Sequence, residues 1–289
     1  MIRNNYNFID LFSGIGGFHI AFHNEGARCV FASECNNFAR ETYENYFSKI
    51  EPNLFKSDNF AGDITKVNAE NIPDFDILTG GFPCQAFSQA GHKKGFKDSR
   101  GTLFFDIARI IEEKEPKAFF IENVRNLLNH DQGKTFKRIK EIIEKDLKYS
   151  FFPEVIKASD FGLPQHRPRL YMVGFKDKEI AFDFPKPTGT ELTMSDIFEG
   201  KCDKDIGYTL RVGGRSSGID DRRNWDAYRV DGEIKKITIK EGKRMMGFPD
   251  NFPFPVSDTQ AMKQLGNSVA IPAVQAVAKQ IIKTLNKHY

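Results

Sequence analysis

The chain has 289 residues, 40% of them hydrophobic and 28% charged, the balance of a folded globular protein and not of a disordered one. At roughly 150 residues per domain this allows one large domain with a smaller companion. A formal charge of +3, from 42 basic and 39 acidic residues, neither requires nor forbids nucleic acid. No apolar run approaches the roughly 20 residues of a membrane span, and residues 1–8 lack the apolar stretch of a secretory signal. The expectation is a soluble cytoplasmic protein without a membrane partner. The four cysteines, Cys29, Cys35, Cys84 and Cys202, form no Cys-x-x-Cys pair, and the histidines show no spacing to complement them. Reduced thiols and no metal site are therefore expected.

Residues 7–12 predict a first strand, and Asp10-Leu11-Phe12-Ser13-Gly14-Ile15-Gly16-Gly17-Phe18 turns it into a helix running through Ala21. Glycines between strand and helix let the backbone pass close to a ligand at the helix N-terminus. Residues 29–32 predict a second strand. Glu34 stands at its end, twenty positions after Gly14, where a carboxylate suits ribose hydroxyls. A dinucleotide fingerprint needs a third glycine at position 19, which is His19, so the cluster points to a nucleoside-type cofactor and away from NAD. A purely structural turn is the alternative. A helix is expected over 37–47. Gly62-Asp63-Ile64, after a third strand, sets a carboxylate able to accept from an adenine amino group beside an apolar residue able to pack on the ring. An ordinary turn or helix cap is the alternative there.

Residues 76–79 form a fourth apolar run that opens into Gly80-Gly81-Phe82-Pro83-Cys84-Gln85-Ala86-Phe87-Ser88. Cys84 thus sits where open α/β sheets place ligands. A thiol with pKa about 8.5 is mostly protonated at neutral pH, so a nucleophilic role needs a cationic or helix-dipole neighbour. Residues 89–101 hold three glycines among His92, Lys93, Lys94, Lys97 and Arg100 and read as a basic loop able to close over a polyanion, or else as a solvated surface loop. Residues 103–111 predict a helix, and residues 118–121 a strand ending in Glu122-Asn123-Val124 on the same sheet edge as Cys84, with Asn123 readable as a helix cap. Phe136, Ile139, Ile143 and Leu147 share one helix face. Gln165-His166-Arg167-Pro168-Arg169 leads into a last strand over 170–175, and arginines two apart in an extended segment point the same way. A closing amphipathic helix spans 271–285.

Short apolar runs alternating with helical periodicity predict an α/β fold with a mainly parallel sheet. From about Phe182 the runs shorten, Pro185 and Pro187 stiffen a linker, and glycine and arginine accumulate. The expected layout is a large domain over 1–186, completed by 265–289, with a smaller irregular domain inserted at 187–264.

Six blocks stand here in a recognisable order: residues 10–18, residues 80–88 with their Pro-Cys-Gln core, Glu122-Asn123-Val124, Gln165-x-Arg167-x-Arg169, residues 241–249 and residues 264–269. Over nearly its full length the chain resembles the cytosine-C5 DNA methyltransferases. It starts almost directly on the first block, which looks like the compact bacterial enzymes of restriction-modification systems. The resemblance implies a Rossmann-like sheet that binds S-adenosylmethionine and a small target-recognition domain. It casts Cys84 as the nucleophile that adds to cytosine C6, protonated Glu122 as the donor at N3, and Arg167 as the contact to O2. Arg169 then orients Glu122 and the Cys84 loop; no side chain stands out as the base for the C5 proton, a task open to a water. It places Phe12, Gly14, Gly16 and Gly17 around the methionine and adenine parts of the cofactor, Glu34 at the ribose, and Asp63 with Ile64 at the adenine. Pro83 and Leu103 line the pocket, and Asn267 with Ser268 close it. Cys35 departs from the family, whose members often carry a larger apolar residue against adenine.

The target carbon is inaccessible within stacked DNA, so the base must be rotated out. Gln85, Ser88, Lys93, Lys94 and Arg100 are expected on the DNA side of the pocket. Residues 209–244 hold ten Lys and Arg against six acids, which fits a phosphate-tracking face. Thr209-Leu210 resembles the short Thr-Leu element of family recognition domains, and Arg211, Arg215, Arg222 and Arg223 are candidates for reading guanine, since the Arg fork matches its O6/N7 edge. Duplex DNA is the expected partner of a monomeric enzyme, with a cognate restriction endonuclease acting on the same site without stable binding. The same chemistry on transfer RNA is the alternative; Ala86-Phe87-Ser88 and the Arg/Gly-rich insert look more like the DNA branch. His19 and Pro83-Cys84 speak against a nicotinamide oxidoreductase. The joint presence of Cys84, Glu122 and Arg167 speaks against a silent DNA-binding module.

Overall fold

The computed structural model describes residues 6–56, 58–83, 103–213 and 217–289. Its strands are β1 (Asn7–Leu11), β2 (Arg28–Ser33), β3 (Phe60–Ala61), β4 (Ile77–Gly81), β5 (Ala118–Val124), β6 (Phe152–Lys157), β7 (Phe161–Gly162), β8 (Pro168–Phe175), β9 (Gly189–Thr190), β10 (Ala227–Val230) and β11 (Glu233–Lys236). The helices are α1 (Gly17–Asn24), α2 (Asn37–Phe47), α3 (Pro52–Lys56), α4 (Phe104–Lys114), α5 (Lys134–Glu141), α6 (Met194–Phe198), α7 (Ile239–Met246), α8 (Asp258–Asn267) and α9 (Ile271–His288).

Among the described residues a seven-stranded sheet runs in the order β3-β2-β1-β4-β5-β8-β6. The five strands from β3 to β5 are parallel, while β8 lies antiparallel to both β5 and β6. Strands β1, β4 and β5 are buried along almost their whole length, as expected of parallel strands covered on both faces. Alternation sends neighbouring residues to opposite layers. Phe120 joins Phe18, Phe22 and α9 on one side, whereas Phe119 joins Ile107, Ile111 and Ile139 on the other. Helix α2 starts where expected because the Asn36 side chain accepts the Ala39 amide, a capping bond. Helix α5 continues into a single π-helical turn, Ile142–Asp146, which keeps Ile139, Ile142 and Ile143 inward.

The segment 187–264 contains α6 and α7, each opened by a Thr capping box, and the β10–β11 hairpin. Its apolar residues Met194, Trp225, Tyr228 and Met245 join the same core as α1 and α9, so the insert shares the sheet's core. The expected boundary at 264–265 falls inside α8. That helix is tied to α2 by Gln264, whose Oε1 accepts from Thr42 Oγ1 at 3.0 Å and whose Nε2 donates to the Phe38 carbonyl at 2.9 Å.

Candidate active site

The chain leaves β1 towards β2 and β4 towards β5, opposite directions across the sheet, so a crevice opens outside the carboxyl ends of β1 and β4. Gly80 permits the close approach there: a Cβ at that position would lie 2.7 Å from the Leu11 carbonyl oxygen. After β1, Phe12 and Gly14 take positive φ, 54° and 55°. The turn is clamped by Glu34, whose Oε2 accepts the Gly14 amide at 2.9 Å while Oε1 accepts the Asn36 amide at 2.7 Å. A carboxylate has lone pairs beyond these two and can still accept from a ligand hydroxyl. Asp63 caps a short 3-10 turn through Thr65, whose hydroxyl and amide hold its carboxyl below the usual range. Arg40, which sequence reasoning missed, donates to the carbonyls of Glu34, Phe60 and Ala61 and so fixes the ends of β2 and β3 against each other.

Register sets Gly81 of β4 opposite Glu122 of β5, and Glu122 opposite Tyr171 of β8. A Cβ at Gly81 would stand 3.2 Å from Glu122 Oε2, so glycine there makes room for the carboxyl group. Glu122 is 8% exposed, and its Oε1 lies 2.9 Å from Arg169 Nε. Burial raises its pKa against the opposing pull of Arg169 and Arg167. Asn123 is not a helix cap: its Nδ2 donates to the Phe82 carbonyl at 2.8 Å and its Oδ1 accepts the Val124 amide. It therefore ties the end of β4, just before Cys84, to β5.

The two arginines divide their partners. Arg169 Nη1 donates to the Pro168 carbonyl while its Nε faces Glu122. Arg167 is 2% exposed and donates to the carbonyls of Leu210, Gly266 and Ser268, at 3.0, 2.9 and 2.5 Å. Burial and Arg169 push its pKa down to about 9, so it stays charged at neutral pH. Both its terminal nitrogens bind backbone, while its Nε is buried without a hydrogen-bond partner, so the donor that Arg167 has left for the expected contact with a base is Nε. Gln165, buried, joins the Met245 carbonyl to the Leu210 amide and fastens the insert to the same strand.

One cavity of about 460 Å³ collects these groups, within the usual span of about 300–1,000 Å³ for small-molecule sites. Phe12, Gly14, Glu34, Asp63, Ile64, Pro83, Leu103, Asn267 and Ser268 line it together with Glu122, Arg167 and Arg169. Cys35 lines it too. Gly16 and Gly17 do not. A Cβ at Gly16 would meet the Phe47 ring at 2.2 Å, and one at Gly17 would meet Val269 Cγ2 at 2.6 Å. Neither position has room for a side chain, because helix packing fills the space around both. Val212 and Lys263 also line the cavity, and no sequence signal marks them.

Among the residues expected to meet DNA, Thr209 donates its hydroxyl to the His166 carbonyl and so acts as a tie within the chain. Arg223 forks onto Asp221, with Nε–Oδ1 at 3.1 Å and Nη2–Oδ2 at 2.7 Å. Arg211 and Arg222 are exposed and form no ion pair among the described residues. Cys84, Gln85, Ser88, Lys93, Lys94, Arg100 and Arg215 lie outside the described residues. Cys29, Cys35 and Cys202 are free thiols. Among the described residues no helix is long and apolar enough to cross a membrane.

Residues 6–212 and 207–283 match the family model described as C-5 cytosine-specific DNA methylase. The chain is 44% identical to the Type II methyltransferase M.SsoII of Shigella sonnei, over 98% of this chain and 82% of that protein. It is 39% identical to the Type II methyltransferase M.HhaI of Haemophilus parahaemolyticus, over 96% and 95%. The fold is similar to that of a putative DNA modification methyltransferase encoded within an Escherichia coli prophage, with TM-score 0.72, 22% identity and coverage of 98% and 100%. The chain belongs to the C-5 cytosine-specific DNA methylase family and is a DNA cytosine-C5 methyltransferase.

Proposed function

We propose that this enzyme moves the methyl group of S-adenosylmethionine to C5 of one particular cytosine rotated out of duplex DNA, as the modification partner of a Type II restriction endonuclease in the cytoplasm. The observation that carries this reading is the single cavity joining Glu34 and Asp63 to the Glu122–Arg169 pair. The cavity suits a nucleoside: nothing lies within 4 Å of a Cβ at Gly14, and Ser33 Oγ has no partner. Glu34 and Asp63 supply acceptors between the apolar walls of Phe12, Ile64, Pro83 and Leu103. When bound, S-adenosylmethionine supplies an electrophilic methyl group.

The chain's own residues make C5 able to attack it. The Cys84 thiolate bonds to C6, the C5–C6 π pair moves to C4–C5, and the C4–N3 π pair moves onto N3. Glu122, whose pKa burial raises, gives its proton to N3 at that moment. Arg169 holds Glu122, and Arg167, which lines the same cavity with its Nε unpartnered, is the donor towards the developing charge at O2. After C5 has taken the methyl group, water removes its proton, the C5–C6 double bond reforms, and Cys84 leaves as thiolate while Glu122 recovers its proton. Arg211, Arg215, Arg222 and Arg223 are the candidates for reading bases, Arg223 after release from Asp221.

Bisulfite sequencing of DNA from cells expressing the protein tests the activity and reveals the methylated motif. A duplex carrying 5-fluorocytosine at that position should trap the wild-type enzyme covalently, and Cys84→Ala should give no adduct. Methylation of transfer RNA with none on DNA, or an adduct that survives Cys84→Ala, would overturn this reading.

A further inference from the structure

Helix α1 carries a second polar cluster on the face turned towards α2, made of residues that do not line the cavity. His19 is fully buried; its Nδ1 lies 2.6 Å from Tyr43 Oη, and its ring stacks on Phe47 with centroids 3.8 Å apart. Its Nε2 is buried without a hydrogen-bond partner. A buried polar atom in that condition calls for a ligand or another explanation. His23 follows one turn later on α1, and Glu51 follows α2. One ring nitrogen from each histidine and one carboxylate oxygen all lie within 4.8 Å of one another.

We propose that His19, His23 and Glu51 bind one divalent transition-metal ion of the zinc type, apart from the methyl-transfer centre. Two imidazole nitrogens and one carboxylate oxygen, with a fourth position for water, suit Zn²⁺ or Co²⁺ and not Mg²⁺ or Ca²⁺, which take oxygen donors. The hydrogen bond to Tyr43 is the partner a ligating histidine uses to fix its ring, and it leaves Nε2 to face the ion. Tetrahedral zinc needs donors about 3.4 Å apart, so His23 and Glu51 must close inward on the fixed His19. His23 is exposed and can turn. Glu51 must share or release Arg28, whose Nε is 3.4 Å from Oε2, leaving Oε1 for the ion. The expectation of no metal site passed over this pair: His19 and His23, four apart on one helix, share a face. An ion here would join α1, the helix that follows the Gly14 turn, to the segment after α2.

The test is Co²⁺ titration of the purified full-length protein, followed by visible absorption and by thermal unfolding. The expected result is one ion per chain, d–d absorption without a thiolate charge-transfer band, and a raised unfolding midpoint. His23→Ala and Glu51→Gln, near the surface and outside the methyl-transfer site, should each weaken binding at least about tenfold, whereas His288→Ala should not. No binding up to millimolar Co²⁺, equal binding by the His23→Ala and Glu51→Gln variants, or a thiolate band placing the ion on cysteine would overturn the proposal.

Discussion

In the sheet, the charges at the site are few, buried and fixed: Glu122 lies against Arg169, and Arg167 is held by three carbonyls. In the insert they are many, and several pair with one another near the surface. Arg223 pairs with Asp221, Arg229 with Asp203, Lys235 with Asp231, and both Lys240 and Arg244 with Glu199. Exposed pairs of this kind contribute about 0–1 kcal/mol and exchange partners easily, while a buried charge that loses its partner is costly. The difference separates two tasks. Chemistry needs donors aimed before the substrate arrives; binding a polyanion needs cations that can let go of one partner and take another.

The largest effect is expected at Glu122. Glu122→Gln keeps the size and a donor group but has no proton to transfer, so kcat should fall about 10²–10⁴-fold with an unchanged circular dichroism spectrum. Burial raises the pKa of Glu122, so the proton-bearing form persists to higher pH than for an ordinary carboxyl. The step that needs this proton slows as pH rises through that pKa, while formation of the Cys84 thiolate favours higher pH. The Gln variant should lose the alkaline fall and keep the acidic rise; an alkaline fall that persists would assign it to another group.

The two arginines break the comparison next. Arg169→Ala should lower kcat by about 10²–10³-fold and leave the urea midpoint close to wild type. Arg167→Ala orphans the carbonyls of Leu210, Gly266 and Ser268 and should cost roughly 3 kcal/mol of stability. A stable Arg167→Ala enzyme that binds DNA but does not turn over is the outcome expected if Arg167 makes the O2 contact, and one that turns over normally would remove that role.

Those two arginines also mark how far the sequence could be read. Spacing in an extended segment placed both at one cavity, and they are there. Which binds Glu122 depends on the pairing of Val124 with Arg169 across β5 and β8, an antiparallel contact that apolar periodicity does not encode. Strand β6 was missed for a related reason. It is an edge strand containing Pro153, its burial is uneven, and only its pairing with β8 makes it a strand. Helix α2 was legible because its start depends on a local cap. The glycine turn was half legible: Gly14 faces the cavity, but the demand for glycine at 16 comes from Phe47, thirty-one residues away.

That split is testable at the turn. Gly16→Ala adds a Cβ at φ 86° that overlaps the Phe47 ring, so a loss of about 2 kcal/mol is expected in denaturant unfolding. Gly14→Ala meets no atom within 4 Å and should cost about 1 kcal/mol from the backbone alone. Gly14 lines the cavity proposed to hold S-adenosylmethionine, so KM for that cofactor should rise more than stability falls. Equal losses of stability in both variants would mean that the two glycines have the same purpose.

The smallest effect is expected where the pairs are weakest. Asp221→Asn removes the carboxylate that holds the Arg223 fork, an exposed contact with Arg223 74% accessible. Freed, Arg223 can meet a phosphate, so DNA affinity should rise a few-fold and the slope of log K against log salt should steepen by about one. Arg222→Ala should make that slope shallower by about one if it meets phosphate, or relax the preferred motif if it meets a guanine. An unchanged slope in Asp221→Asn would mean that Arg223 faces away from the duplex, and the fork on Asp221 would then be fixed structure, of the same kind as the buried pair in the sheet.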